Sequence, residues 1–237
     1  MKKKKRIITI VCISCFLLLV LVGGFWIYVS DYYHSDEYAQ SLITDSKQLQ
    51  ELDHIQVFYP KDSIDRQIGF IFYPGGKVEA ASYAPLLSSL SDQGITCVLI
   101  EMPFNLAVLH IKAAEGVYSH FPDIDTWYIG GHSLGGAMAS SYADKASTKL
   151  SGIILLGAYS VSDTSIPTVA IYGSNDMVLD KTKLNPSQPQ LIIEGGNHAN
   201  FGNYGDQEGD GVATITREEQ QQQTVDSVLK FITETMK

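Results

Sequence analysis

The chain has 237 residues, of which 45% are hydrophobic and 18% charged, enough for one domain with a full core and an apolar addition. Five of its 17 basic residues, Lys2 to Lys5 and Arg6, precede every acid, and the remaining 12 stand against 26 acids. So acidic a body excludes nucleic acid and disfavours anionic membrane as a partner of its surface, because both are polyanions.

Ile7 through Val29 is a run of 23 residues without a charge. As a helix it would be about 35 Å long, enough to cross a hydrocarbon core of about 30 Å. The basic cluster before it predicts a cytoplasmic N-terminus and a body on the far side, with Trp26, Tyr28, Tyr32 and Tyr33 as an interfacial belt. A retained single-pass anchor is the expectation for residues 1–30. The alternative is a cleaved signal peptide, with Val22-Gly23-Gly24 as the least unsuitable cleavage point. Cys12 and Cys15 lie in this run and Cys97 in an apolar strand, so no disulfide framework is implied. Residues 31–52 read as a stalk, and 53–237 as the domain.

Within the domain, strand patterns fall at Ile55–Tyr59 (an edge strand), Gln67–Tyr73, Ile95–Ile100, Thr126–Gly130, Gly152–Leu156, Pro167–Tyr172 and Gln190–Glu194. Helical spacing covers Ala80–Gln93, Pro103 to about His120, Leu134 to Lys145, and Thr216–Met236. This alternation predicts an α/β class with a mostly parallel sheet covered on both faces. Gln220 to Gln223 reads as a solvated helix face, and Gly205–Asp210 as a solvated acidic loop rather than a calcium site.

At Gly131-His-Ser-Leu-Gly135 an apolar strand meets a small-residue helix. This Gly-x-Ser-x-Gly pattern puts Ser133 on a tight strand-to-helix turn beside free helix N–H groups. Ligands in such sheets gather at the carboxyl ends of the strands, and the residues there are Asp176, His198 and the turn Gly75-Gly76-Lys77. Asp176 lies 43 residues after Ser133, and His198 lies 22 further on. The chemistry needs these types. A neutral imidazole must take the proton of a serine hydroxyl during attack, and an acid must orient that imidazole. Backbone N–H groups of Leu134 and of Gly76 or Lys77 are the expected oxyanion donors. The bland rivals are a helix N-cap for Ser133, a loop cap for Asp176 with Asp180 as competing acid, a surface loop for His198, and structural filler for His132.

These stretches resemble the α/β-hydrolase superfamily, more narrowly its small single-domain group similar to dienelactone hydrolases, from about Ile55 to Met236. Tyr73–Val78, Met102–Ala107, Glu194–Gly202 and Gly209–Ile215 look like one bacterial branch of it. The resemblance implies an α/β-hydrolase fold and a Ser133-Asp176-His198 triad working through an acyl-enzyme. Two departures stand out. Serine occupies the position where dienelactone hydrolases carry cysteine, and Pro74-Gly75 replaces the frequent His-Gly before the oxyanion turn.

The expected activity is therefore hydrolysis of a carboxylic ester or related small acyl compound, with no cofactor and no metal. Asn105 and Asn200 are candidate pocket residues. A peptidase or amidase on the same residues, and a non-catalytic surface module that kept the fold, are the competing readings. Only Gly157 to Pro167 stand where such enzymes often insert a lid.

Overall fold

The computed structural model describes residues 2–45, 49–52, 54–60, 67–146 and 150–236. It divides into two compact units, residues 1–32 and residues 33–237. Each is described by itself.

The first unit is one helix, α1 (Lys2–Ser30). Its apolar side chains from Ile7 to Tyr28 are exposed. Length and composition make it a candidate transmembrane span, a test that a signal sequence also passes.

The second unit is built on an eight-stranded sheet. Its strands are β1 (Leu49–Leu52), β2 (Ile55–Phe58), β3 (Ile68–Tyr73), β4 (Ile95–Ile100), β5 (Thr126–His132), β6 (Gly152–Leu156), β7 (Thr168–Gly173) and β8 (Gln190–Ile193). The order across the sheet is β1-β2-β4-β3-β5-β6-β7-β8. The pairs β1–β2 and β2–β4 are antiparallel, and every other pair is parallel. β5 therefore sits centrally, between β3 and β6.

Alternate residues of the inner strands feed two cores, because a strand turns successive side chains to opposite faces. Phe70, Phe72, Cys97, Leu99, Ile154 and Leu156 pack on one face with α3 (Ala84–Ser91) and α5 (Arg217–Thr235). Ile71, Tyr73, Val98, Ile100, Ile153 and Leu155 pack on the other with α4 (Leu134–Ala143). The doubly covered, mostly parallel sheet is the architecture expected from the sequence. Cys97 is fully buried and all three cysteines are free.

Three expectations are corrected. Residues 103–120 form no α-helix. They make four short 3-10 turns, and Phe104 and Asn105 both sit at positive φ. Tyr73 organises this stretch: its hydroxyl donates to Ile111 O at 2.8 Å and accepts from Ala114 N at 2.9 Å. The edge position belongs to β1, not to the strand beginning at Ile55.

The third correction concerns the stalk. Its residues Ser46 to Gln48 lie outside the described residues. Residues 33–45 belong to the domain, where α2 (Glu37–Asp45) packs Leu42 and Ile43 against the α3/α5 core and buries Ala39 completely. These three lie at i, i+3 and i+4, the spacing of one helix face.

Candidate active site

β5 ends in Gly130, Gly131 and His132, and the chain turns at Ser133 straight into α4. Ser133 has φ 51° and ψ −122°, a region that side chains rarely occupy. Two things hold it there. Its N–H donates to Leu156 O at 2.9 Å, and its C=O accepts from Ala137 N at 3.1 Å. Gly135 makes the turn compact, since a Cβ there would be driven into the carbonyl oxygens of Tyr73 and Pro74. The Ser133 side chain caps no helix N–H, so the bland N-cap role is not the one it takes.

Asp176 and His198 are brought together. Asp176 follows β7 and is 1% exposed; His198 follows β8 and is also 1% exposed. Asp176 Oδ2 lies 2.9 Å from His198 Nδ1. Its other oxygen, Oδ1, accepts from the N–H groups of Val178 and Leu179, so both oxygens of the carboxylate have partners and its direction is fixed. Asp180, the rival acid, is half-exposed and turned to Thr182 and Lys183. His198 Nε2 is buried with no hydrogen-bond partner among the described residues. A buried imidazole nitrogen is seldom left so, and it is the atom a proton transfer would use.

Gly157 closes the back of this pair. It stands directly after β6 at φ +52°, and a Cβ there would lie 2.9 Å from His198 Nδ1 and 3.1 Å from Asp176 Oδ2. His132 closes another side, with its ring centroid 4.4 Å from that of His198. His132 Nδ1 is 2.8 Å from Tyr83 Oη, and Tyr83 Oη accepts from Gly75 N at 3.0 Å. Burial, and then the neighbouring His198, holds the His132 imidazole well below the usual histidine range. His132 is thus a neutral strut between the histidine and the glycine turn, more than the filler expected of it.

Of the three N–H groups in the Gly75-Gly76-Lys77 turn, two are committed: Gly75 to Tyr83 Oη, and Lys77 to Asn105 O at 2.8 Å. Lys77 is thereby corrected as a donor candidate. Gly76 faces Leu134 so closely that a Cβ on it would lie 3.2 Å from the Leu134 Cβ. The N–H of Leu134 opens α4, where first-turn donors lack intrahelical partners. Asn105 meets the site through its backbone carbonyl, and Asn200 through its N–H, which donates to Asn197 Oδ1 at 3.0 Å.

Two residues bracing the site were not singled out from the sequence. Gln220 is fully buried and grips Asn197, donating to its O at 2.8 Å and accepting from its N–H at 2.9 Å. This overturns the reading of Gln220 and Gln221 as solvated. Asp210, from the acidic loop, accepts from Ala199 N and from Met177 N, and so ties the histidine loop to the aspartate loop. Gln220 falls at helical spacing from the apolar Val228 and Phe231, which is the sequence signal for the first, and none was visible for the second.

A groove of about 570 Å³ lies at the end of β4, and neither Ser133, Asp176 and His198 nor the Gly75-Gly76-Lys77 turn lines it. Ile55, Ile100, Met102 and Val117 floor it, and Glu101 and His110 stand among its lining residues. Asn105 and Asn200 do not line it. Among the described residues no group of three His, Cys, Asp or Glu side chains is placed to hold a metal ion.

Known structures share this fold. MenH of S. aureus superimposes with a TM-score of 0.58 at 12% identity, covering 78% of this chain and 100% of that one. A protein of Thermus thermophilus gives 0.56 at 11%, covering 80% and 98%. A thermophilic esterase of Thermogutta terrifontis, solved with butyrate bound, gives 0.55 at 13%, covering 79% and 91%. No curated protein matches the sequence. The model of the alpha/beta hydrolase family matches residues 69–222, well over half of the chain. With that match and the sheet that presents Ser133, Asp176 and His198 at its carboxyl edge, the chain belongs to the α/β hydrolase family.

Proposed function

We propose that the chain is a serine hydrolase that cleaves a carboxylic ester or related small acyl compound, in a branch close to the dienelactone hydrolases but with Ser133 as nucleophile. The observation that carries this is the buried Asp176–His198 pair at 2.9 Å, whose imidazole keeps Nε2 unpaired. Ser133 Oγ attacks the acyl carbon while His198 Nε2 takes its proton. Asp176 holds the tautomer with Nδ1 protonated and steadies the imidazolium. The N–H groups of Leu134 and Gly76 receive the oxyanion, a contribution of about 3 kcal/mol per donor in comparable sites. The imidazolium then protonates the departing alcohol, and water repeats the sequence on the acyl-enzyme to release the acid.

The short Gly157–Pro167 connection, without room for a large lid, favours a small or soluble acyl substrate. A fold neighbour is an esterase solved with butyrate, which agrees with this reading without carrying it. Residues 2–30 serve as a retained membrane anchor, with the catalytic domain outside the cytoplasm. The test is stopped-flow turnover of p-nitrophenyl esters from acetate to octanoate, beside matching anilides. A burst of about one nitrophenolate per chain on short esters, lost in His198→Ala, is expected. Turnover of anilides alone would replace the reading by an amidase, and none of either by a non-catalytic module.

A further inference from the structure

We infer that the segment carrying the chain into the domain, Tyr33 to Gln40, is a positioning part of the oxyanion site, holding the turn that presents the Gly76 N–H. This rests on the serine hydrolase reading of that turn.

The turn has one closing bond of its own, from Val78 N to Gly75 O at 3.3 Å. Lys77 adopts φ 59°, a left-handed conformation costing a residue with a Cβ about 1–2 kcal/mol. Its neighbour Gly76 is free to take many conformations. Lys77 is clamped on both sides instead. Asn105 O takes its N–H at 2.8 Å, and Lys77 O accepts the N–H of Tyr33 at 2.8 Å. Tyr33 O then accepts from Glu79 N at 2.9 Å, so Tyr33 lies as a one-residue parallel bridge along Val78. Its ring reaches Tyr204 at 5.5 Å between centroids, and Tyr204 lies 6.4 Å from the ring of His132.

The strap is locked where it leaves the turn. Glu79 accepts from Ser35 N, Ser35 Oγ and Gln40 Nε2. Asp36 caps α2 by accepting from Ala39 N at 2.8 Å, and its second oxygen accepts from Asn203 Nδ2 at 2.9 Å and Arg217 Nη1 at 3.0 Å. Asp36 N in turn donates to Asn203 O, and Asn203 N to Ser82 O. A spacer would need none of these bonds to residues so far along the chain. Their common effect is to press Tyr33 onto Lys77. Oxyanion donors act only when charge develops, so loosening the strap should lower kcat and leave KM nearly untouched.

The experiment uses the full chain in detergent micelles with p-nitrophenyl butyrate as probe. Tyr33→Pro removes the N–H that Lys77 O accepts, and Phe231→Leu, far from the turn, is the control for lowered stability. The expected result is a kcat lower by about tenfold or more in Tyr33→Pro, with KM within about twofold. Phe231→Leu should keep wild-type kcat at temperatures where it stays folded. Should Tyr33→Pro show no cooperative melt, Asp36→Ala takes its place, with kcat expected to fall by about threefold or more. Wild-type kcat in folded Tyr33→Pro or Asp36→Ala, or an equal loss in Phe231→Leu, overturns the inference while leaving the hydrolase reading intact. A wild-type chain that does not turn over the ester overturns both.

Discussion

Gly157 and His132 show how narrowly the buried Asp176–His198 pair is enclosed. An alanine at 157 would carry a Cβ at φ +52° and set it against both members of the pair. The Gly157→Ala protein is expected to lose about a hundredfold in kcat and about 1–2 kcal/mol of stability, read by steady-state kinetics and a denaturant melt. His132 makes a pH prediction. Its imidazole is held neutral in the fold, whereas the unfolded chain protonates near pH 6.5. The unfolded state therefore binds more protons below that pH, so stability must fall as pH falls, by at most about 1.4 kcal/mol per pH unit for this group. Urea melts between pH 7 and pH 5 should show a shallower loss for His132→Asn than for wild type; equal slopes would contradict the assignment. Ser133, Asp176 and His198 were legible in the sequence because each follows a strand, in a fixed order. Gly157 follows β6 by the same rule and was readable on it. The commitment of the Lys77 N–H to Asn105 was not, since it depends on a loop that arrives 28 residues later.

At the level of elements, apolar periodicity succeeded where burial decides the conformation and failed where polar contacts do. The buried strands were found nearly to the residue. The stretch from Pro103 to His120 carries helical spacing, yet Tyr73 donates to and accepts from its middle and Asn105 is drawn to Lys77, so tertiary contacts override local preference. The strap around Asp36 looked like a linker for the same reason in reverse: its anchors are polar and its partners lie up to 181 residues away. α5 was legible, and it begins with a full capping box between Thr216 and Glu219. Because α5 carries Gln220, weakening its start should be felt at His198. Thr216→Ala is expected to cost about 1 kcal/mol in a thermal melt. Gln220→Ala, which leaves both backbone groups of Asn197 unpaired, should cost about 1–3 kcal/mol and lower kcat as well.

For the whole molecule, α1 and the domain answer different questions. The helix is a candidate membrane span, and a signal sequence would pass the same test of length and composition. With a retained anchor, the full-length chain should sediment with membranes and stay there through an alkaline carbonate wash. Protease added to intact cells should then digest the domain. A soluble, shortened chain in the medium would instead favour a cleaved signal. That the domain works through Ser133 is the central proposal, and it has a direct measurement. A fluorophosphonate probe applied to the folded full chain should label one site, with the mass shift on the peptide that holds Ser133 and no labelling of Ser133→Ala. Folded wild-type chain that takes no label, or Ser133→Ala chain labelled to the same extent, would contradict it.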